Sequence, residues 1–327
     1  LSVMADLSDF TFMEKENAKL FVNSPNAIDE NREEVCNSAS AKFQSEEAGN
    51  VDFVGTESEI VSGIINLVSI LPSNFEDEVI DECSDDLNRA ASEFSAGLED
   101  TKIAAQSISD DNFLVEVKSA YAPEMFTGFI KLNGATVGVV ANRTKVYDDD
   151  MNVVAEYEPK LTAKGCDKAS EFVFFCDNFR IPVLTLTNAV GFKSTMCQEK
   201  RGAKAAAKLT YAFAGADVPK VNVIIGEAFG SAYVTMNSKS IGADVVYALP
   251  TAKVGMMNAE SAAKIMYAEE IEKGNANAVI SEKTAEYQAL QNDITKAASR
   301  GYIDTIIEPV DARKYIIGAF EMLYTKN

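Results

Sequence analysis

The sequence predicts an α/β protein, and three observations predict it. From about residue 101 onward, short runs rich in β-branched and apolar residues alternate with longer stretches whose apolar residues recur at helical spacing. That order builds parallel βαβ units with right-handed crossovers. Between two of the strand-like runs stands Asn133-Gly134, the strongest short hairpin signal. The 327 residues, 47% of them hydrophobic, supply core for roughly two domains at about 150 residues each.

Taken in order, Leu1-Ser2-Val3-Met4-Ala5 reads like the middle of a helix. It has neither an initiator Met nor a signal peptide, as expected of a fragment. Phe10-Thr11-Phe12-Met13 and Lys19-Leu20-Phe21-Val22 read as short strands, and Ser24-Pro25-Asn26 as a turn or helix start. Residues 57–71 place Ile60, Ile64, Leu67, Val68 and Leu71 on one face of an amphipathic helix stopped by Pro72. Residues 73–100 crowd Glu76, Asp77, Glu78, Asp81, Glu82, Asp85 and Asp86 into a stretch with little apolar content. It reads as a solvated interdomain linker, with an acidic docking surface as the alternative.

A helix centred on Val115-Glu116-Val117 precedes the strand pair 127–132 and 136–141. The next helix spaces Ala169, Phe172, Val173 and Phe175 or Cys176 for burial. Then come a strand at 181–186, a helix around 199–214, a strand at 221–225 and a helix starting near Gly230. A strand at 244–248 leads to a helix from about 258 to 272, and the tail 281–325 is mostly helical with one extended stretch at 303–307. No short-period repeat is visible.

Composition excludes whole classes of chemistry. Lys and Arg number 30 against 50 Asp and Glu, a net charge of −20. This disfavours a surface for phosphate backbones or anionic lipid, so no nucleic-acid partner is expected. There is no histidine, which removes Ser-His-Asp triads, imidazole bases and His-ligated zinc; no metal is expected in this chain. Cys36, Cys83, Cys166, Cys176 and Cys197 are unevenly spaced, odd in number and form no CxxC, as expected of reduced thiols in a cytoplasmic protein. No stretch approaches the roughly 20 apolar residues that span a bilayer.

Two strand-to-helix junctions are the candidate sites. Thr187-Asn188-Ala189-Val190-Gly191-Phe192 follows the strand ending at Leu186, and Gly226-Glu227-Ala228-Phe229-Gly230-Ser231-Ala232-Tyr233 follows the strand ending at Ile225. Small residues at a helix start let unpaired N–H groups approach a ligand, and the helix dipole favours an oxyanion there. Tight helix–sheet packing explains the same small residues and stays open as a reading.

Further pieces in a fixed order are Ser8-Asp9-Phe10-Thr11-Phe12-Met13, Phe175-Cys176-Asp177-Asn178-Phe179-Arg180-Ile181-Pro182, Gly202-Ala203-Lys204, Tyr211-Ala212-Phe213-Ala214 and Val218-Pro219-Lys220-Val221. Asp244 to Pro250 and Gly301-Tyr302-Ile303-Asp304 through Glu308-Pro309 to Arg313-Lys314 extend the series. With the Gly-Ser-Ala-Tyr turn, this order resembles the carboxyltransferase component (β-subunit type) of biotin-dependent acyl-CoA carboxylases, within the crotonase-like superfamily. The resemblance implies an α/β crotonase-like (ClpP/crotonase) βαβ spiral of two homologous halves, the first half truncated. Residues 1–90 are then the remaining C-terminal part of the acyl-CoA-binding lobe, and 91–327 the biotin-binding lobe.

It also implies transfer of CO₂ between carboxybiotin on a carrier protein and the α-carbon of a short-chain acyl-CoA, with oxyanions held by backbone N–H groups. The second half's hole maps onto Ser231 and Ala232. Gly191, Phe192, Gly230, Tyr233 and Val234 line the biotin and substrate side, Val234 bearing on acyl-chain choice. Implied partners are a biotin carboxyl carrier protein, a biotin carboxylase subunit and further copies of the chain, dimer-based and up to a hexamer.

The chain departs from the family pattern in places. Ser231 stands where the family has a second Gly, Val190 where it frequently has Pro, and Asn258 and Ser261 where Gly is common. The first half's oxyanion-hole glycines would lie upstream of Leu1. Three other readings stay open: a biotin-dependent acyl-CoA decarboxylase with a membrane partner, a hydratase using Glu199 and Glu227, and a non-catalytic scaffold fragment.

Overall fold

The computed structural model describes residues 2–74, 76–77, 82–148 and 150–326. Leu1, and Glu78 and Asp81 of the acidic stretch, lie outside the described residues. After α1 (Ser2–Ala5), β1 (Phe12–Glu14) pairs in parallel with β2 (Phe53–Gly55). The first expected strand thus starts at Phe12, and Lys19–Val22 is no strand: Phe21 and Val22 are exposed, with no ladder partner there. α2 (Glu57–Ile70) begins at a capping box, Thr56 with Glu59, and ends before Pro72. Of its expected apolar face only Leu67 is buried, Ile60 and Leu71 are half-buried and Ile64 and Val68 are exposed; the other buried residue is Ile70, which is not on that face.

The 73–100 stretch is not simply a solvated linker. Ala91 and Phe94 are fully buried with Ile108, Phe126 and Ile130, and Asp85 pairs with both Arg89 and Arg313. α3 (Thr101–Ile108) follows. Val115-Glu116-Val117 is not helical. β3 (Leu114–Glu116) pairs antiparallel with β4 (Met125–Leu132), Val115 opposite Phe129, because β-branched residues flanking Glu116 suit a ladder at the sheet edge. β4 turns into β5 (Ala135–Asn142) through Asn133 and Gly134, whose φ values of 52° and 77° are those of a type I′ hairpin.

β6 (Lys145–Tyr147) and β7 (Val153–Glu156) form a separate antiparallel pair, and β8 (Lys160–Leu161) precedes α4 (Ala163–Asn178). α4 buries Ala169, Phe172, Val173, Phe175 and Cys176, as its spacing requires. Then come β9 (Val183–Ala189), β10 (Gly191–Phe192), α5 (Met196–Gly215), β11 (Lys220–Phe229) and α6 (Gly230–Thr235). β12 (Val245–Ala248), β13 (Lys253–Gly255), α7 (Ala259–Met266), α8 (Ala268–Lys273), α9 (Ala276–Gln291), α10 (Ile294–Ser299), β14 (Thr305–Ile306) and α11 (Ala312–Met322) complete the chain.

The main sheet has the order β14-β12-β11-β9-β5-β4-β3, with β13 pairing β11. β14 to β5 run parallel; β4 and β3 are antiparallel. Alternate residues of the central strands feed opposite layers, as strand geometry requires. Val183 of β9 belongs to one apolar cluster with Leu67, Val173, Leu209 and Phe213, and Leu184 and Leu186 to a second with Ile108 and Ile316. A third cluster joins Ile224, Val246 and Val254 to Tyr233 and Ile294. Among the described residues no helix is long and apolar enough to cross a membrane.

Candidate active site

Both predicted junctions lie at the carboxyl ends of parallel strands, where α/β sheets present ligand crevices. Past β9, Val190 N donates to Pro159 O at 2.8 Å. Gly191 and Phe192 leave the main sheet and pair with Lys160 and Leu161 of β8. A Cβ on Gly191 would meet nothing within 4 Å, so this strip borders open space. α6 lies against it.

The second junction runs longer as strand than its sequence predicts, and the turn falls at Gly230. Two facts demand glycine there: φ is +58°, and a Cβ would stand 2.9 Å from Met256 O. Ser231 and Ala232 follow in the first turn of α6. N–H groups there have no partner within the helix, and Phe229 offers no side-chain cap. Among the described residues, no acceptor outside the helix takes a hydrogen bond from Ser231 N or Ala232 N. Ser231 is exposed and Val234 half-buried. The structure therefore brings Gly191, Phe192, Gly230, Ser231, Ala232 and Val234 into one neighbourhood.

Tyr233, expected on the biotin and substrate side, packs its ring in the cluster with Val246, Val254 and Ile294 and is 7% exposed. Burial pushes its hydroxyl up to about 12, and the hydroxyl has no hydrogen-bond partner among the described residues. Of the carboxylates weighed for hydratase chemistry, Glu227 pairs with Lys253 at 3.2 Å, and Glu199 is exposed in the first turn of α5. No group of three or more Cys, Asp or Glu able to hold a metal occurs among the described residues.

Sequence reasoning missed what holds α6 in place. Asn222, near the start of β11, donates from Nδ2 to Asn237 O (2.9 Å) and Met236 O (3.2 Å), and its Oδ1 accepts from Thr187 Oγ1 (2.8 Å). Asn237 Nδ2 reaches Thr185 Oγ1 at 2.9 Å. The visible signal was a lone amide inside an apolar strand run, Val221-Asn222-Val223; a buried amide needs partners.

Residues 3–327 match the carboxyl transferase domain family. The chain is 34% identical over 351 residues to the propionyl-CoA carboxylase beta chain of Saccharopolyspora erythraea, covering 98% of this chain and 62% of that protein. It is 33% identical over 335 residues to the methylmalonyl-CoA decarboxylase subunit alpha of Propionigenium modestum, covering 98% and 63%. A crystal structure of transcarboxylase 12S, described as a hexamer assembly with hydrolysed methylmalonyl-coenzyme A bound, superposes with a TM-score of 0.88 at 32% identity. It covers 100% of this chain and 63% of that one. The fold is therefore crotonase-like, and the chain spans a little under two thirds of the length of these relatives. With the match running from residue 3 to residue 327, the chain belongs to the carboxyl transferase family.

Proposed function

We propose that this chain takes part in carboxyl transfer between carboxybiotin and the α-carbon of a short-chain acyl-CoA, with Ser231 and Ala232 as the backbone oxyanion hole on the biotin side. One observation carries the reading: two unpaired first-turn N–H groups stand beside the Gly191–Phe192 strip, in a family whose relatives handle propionyl- and methylmalonyl-CoA. The open space at Gly191, where a Cβ would meet nothing within 4 Å, leaves that strip accessible to a ligand group.

Bound carboxybiotin supplies CO₂ and the proton acceptor. The chain's own part is positioning and electrostatics. Ser231 N–H and Ala232 N–H hold negative charge developing on a carbonyl oxygen, in an arrangement that needs no reorganisation as charge appears. Tyr233, neutral and buried, takes no proton. Val234 presents an apolar wall, where one methylene changes discrimination by about 1–3 kcal/mol. Residues 1–90 belong, in this reading, to the acyl-CoA lobe. The partners are a carrier protein bearing biotin, a biotin carboxylase subunit and further copies of this chain.

The test is transfer from methylmalonyl-CoA to free biocytin by the full-length chain, read as propionyl-CoA formed. Ser231→Pro deletes one N–H in the first helical turn, where proline is tolerated. We expect kcat to fall by about 10²–10³-fold at an unchanged melting temperature. A folded variant with full activity would remove Ser231 from the hole. Transfer observed in neither direction with the unsubstituted chain would favour the scaffold reading.

A further inference from the structure

We propose that Asn188 is a positioning residue for carboxyl transfer: its side-chain amide fills the break between β9 and β11 and thereby sets where the Gly230–Ser231 turn begins. The inference rests on the reading of that turn as the oxyanion hole.

The break is visible in the register. Thr187 pairs with Ile224 and Ala189 with Ala228, so two steps along β9 face four along β11. The stretch Ile225 to Glu227 has no partner residue on β9, although Glu227 pairs with Lys253 of β13 on the other side, and an N–H group turned toward β9 there needs another acceptor. Asn188 stands opposite it. Its Oδ1 accepts from Glu227 N at 3.0 Å. That bond fixes the orientation of the amide, since only its oxygen can accept. Gly226 is what lets the amide in: a Cβ there would lie 2.6 Å from Oδ1 and 3.2 Å from Nδ2.

The backbone of Asn188 is anchored from behind as well. The β5–β9 ladder ends at Ala141 opposite Leu186, and Asn142 Oδ1 then accepts from Asn188 N at 3.3 Å. Asn142 is buried, so this anchor is shielded from water. Two side-chain oxygens, Asn142 Oδ1 on the Asn188 backbone and Asn188 Oδ1 on the Glu227 backbone, thus link β5 through β9 to the bulge in β11. Three residues beyond Glu227 comes Gly230. Displacing the bulge moves the first turn of α6 relative to Gly191, while the Asn222 bonds still hold the far end of that helix.

The test uses the full-length chain, the methylmalonyl-CoA to biocytin assay, and amide hydrogen exchange over residues 226–231. Asn188→Ala should lower kcat by about 10- to 100-fold, the scale of a misplacement near 1 Å, with the KM for methylmalonyl-CoA little changed. Exchange over 226–231 should quicken. Asn188→Asp keeps an acceptor for Glu227 N and should restore both readouts. Gly226→Ala should reproduce the loss in the unsubstituted chain and be silent on top of Asn188→Ala, which has already vacated the space. Losses that multiply in the double variant, or an Asn188→Asp as impaired as Asn188→Ala, overturn the inference. Full activity in Asn188→Ala alongside loss in Ser231→Pro removes the positioning role and leaves the hole. Full activity in Ser231→Pro removes the hole, and the inference with it.

Discussion

Lys168 shows how one residue's environment can contradict its type. It sits on α4, 1% exposed, and its Nζ donates to Tyr121 O at 2.8 Å. Burial pulls its ammonium down to about 7; Glu116 works against that and Arg143 with it. It borders a polar cavity of about 650 Å³ beside Asp52, whose carboxyl burial pushes up to about 6 against the pull of Lys118. The sign for Lys168 follows from linkage. Its folded pKa lies below its unfolded value of 10.5, so its contribution is present above that value and lost as pH falls toward 7. Lys168→Met removes that dependence. The difference in melting temperature between variant and unsubstituted chain should tilt toward the variant as pH drops from about 10 to about 7, and level off below. A constant difference across that window would count against a neutral, buried lysine.

At the scale of elements, α6 is too short to stand alone, since isolated helices below about 12 residues are marginal in water. It is held at both ends by other elements. Its start is fixed by Gly230 under Met256 O, and the residues after its end by Asn222 bonding to Met236 O and Asn237 O. Asn237 has φ of 51°, an uncommon conformation that the surrounding bonds maintain. Asn222→Val leaves Asn237 O without its donor, while Thr187 Oγ1 still reaches Met236 O at 3.3 Å, and a group left unpaired costs about 1–3 kcal/mol. Urea titration should therefore show a loss of about 1–3 kcal/mol. A midpoint unchanged by the substitution would mean that water takes over these bonds.

At the scale of the whole molecule, distant segments are locked by charge and open to partners through apolar surface. Arg313 of α11 is fully buried and meets Asp110 at 2.7 Å and Asp85 at 3.3 Å, tying the C-terminal helix to the acidic stretch before α3. Burial alone would raise the carboxyl of Asp85; Arg89 and Arg313 overcome that and hold it low. Outside this lock, α2 turns Val61, Ile64, Ile65 and Val68 to solvent, Ile65 at 62% and Val68 at 66% exposure. With a net charge of −20, association between copies must rest on apolar burial that outweighs repulsion. Sedimentation at micromolar concentration should show species larger than the monomer, and Ile65→Asp should shift them toward it. A soluble, folded monomer in the unsubstituted chain would end the shared-assembly reading.

Sequence by itself determined the α/β class, the hairpin at Asn133-Gly134, the burial face of α4 and the small-residue turn at Gly230. It also ruled out imidazole chemistry. Each of these follows from short-range rules: the periodicity of one element, the φ that one turn demands, or the presence of a residue type. Tertiary structure alone decided the rest. β3 became a strand because β4 was there to pair with it, and Phe21 and Val22 did not because nothing pairs with them. The apolar face of α2 stayed largely exposed, although its spacing is that of a buried helix. Tyr233 turned into the core, Lys168 lost water, and Asn188 met Glu227 across a break in register. Whether a polar side chain is buried, and what it then bonds to, depends on residues dozens of positions away, and no local pattern encodes those distances.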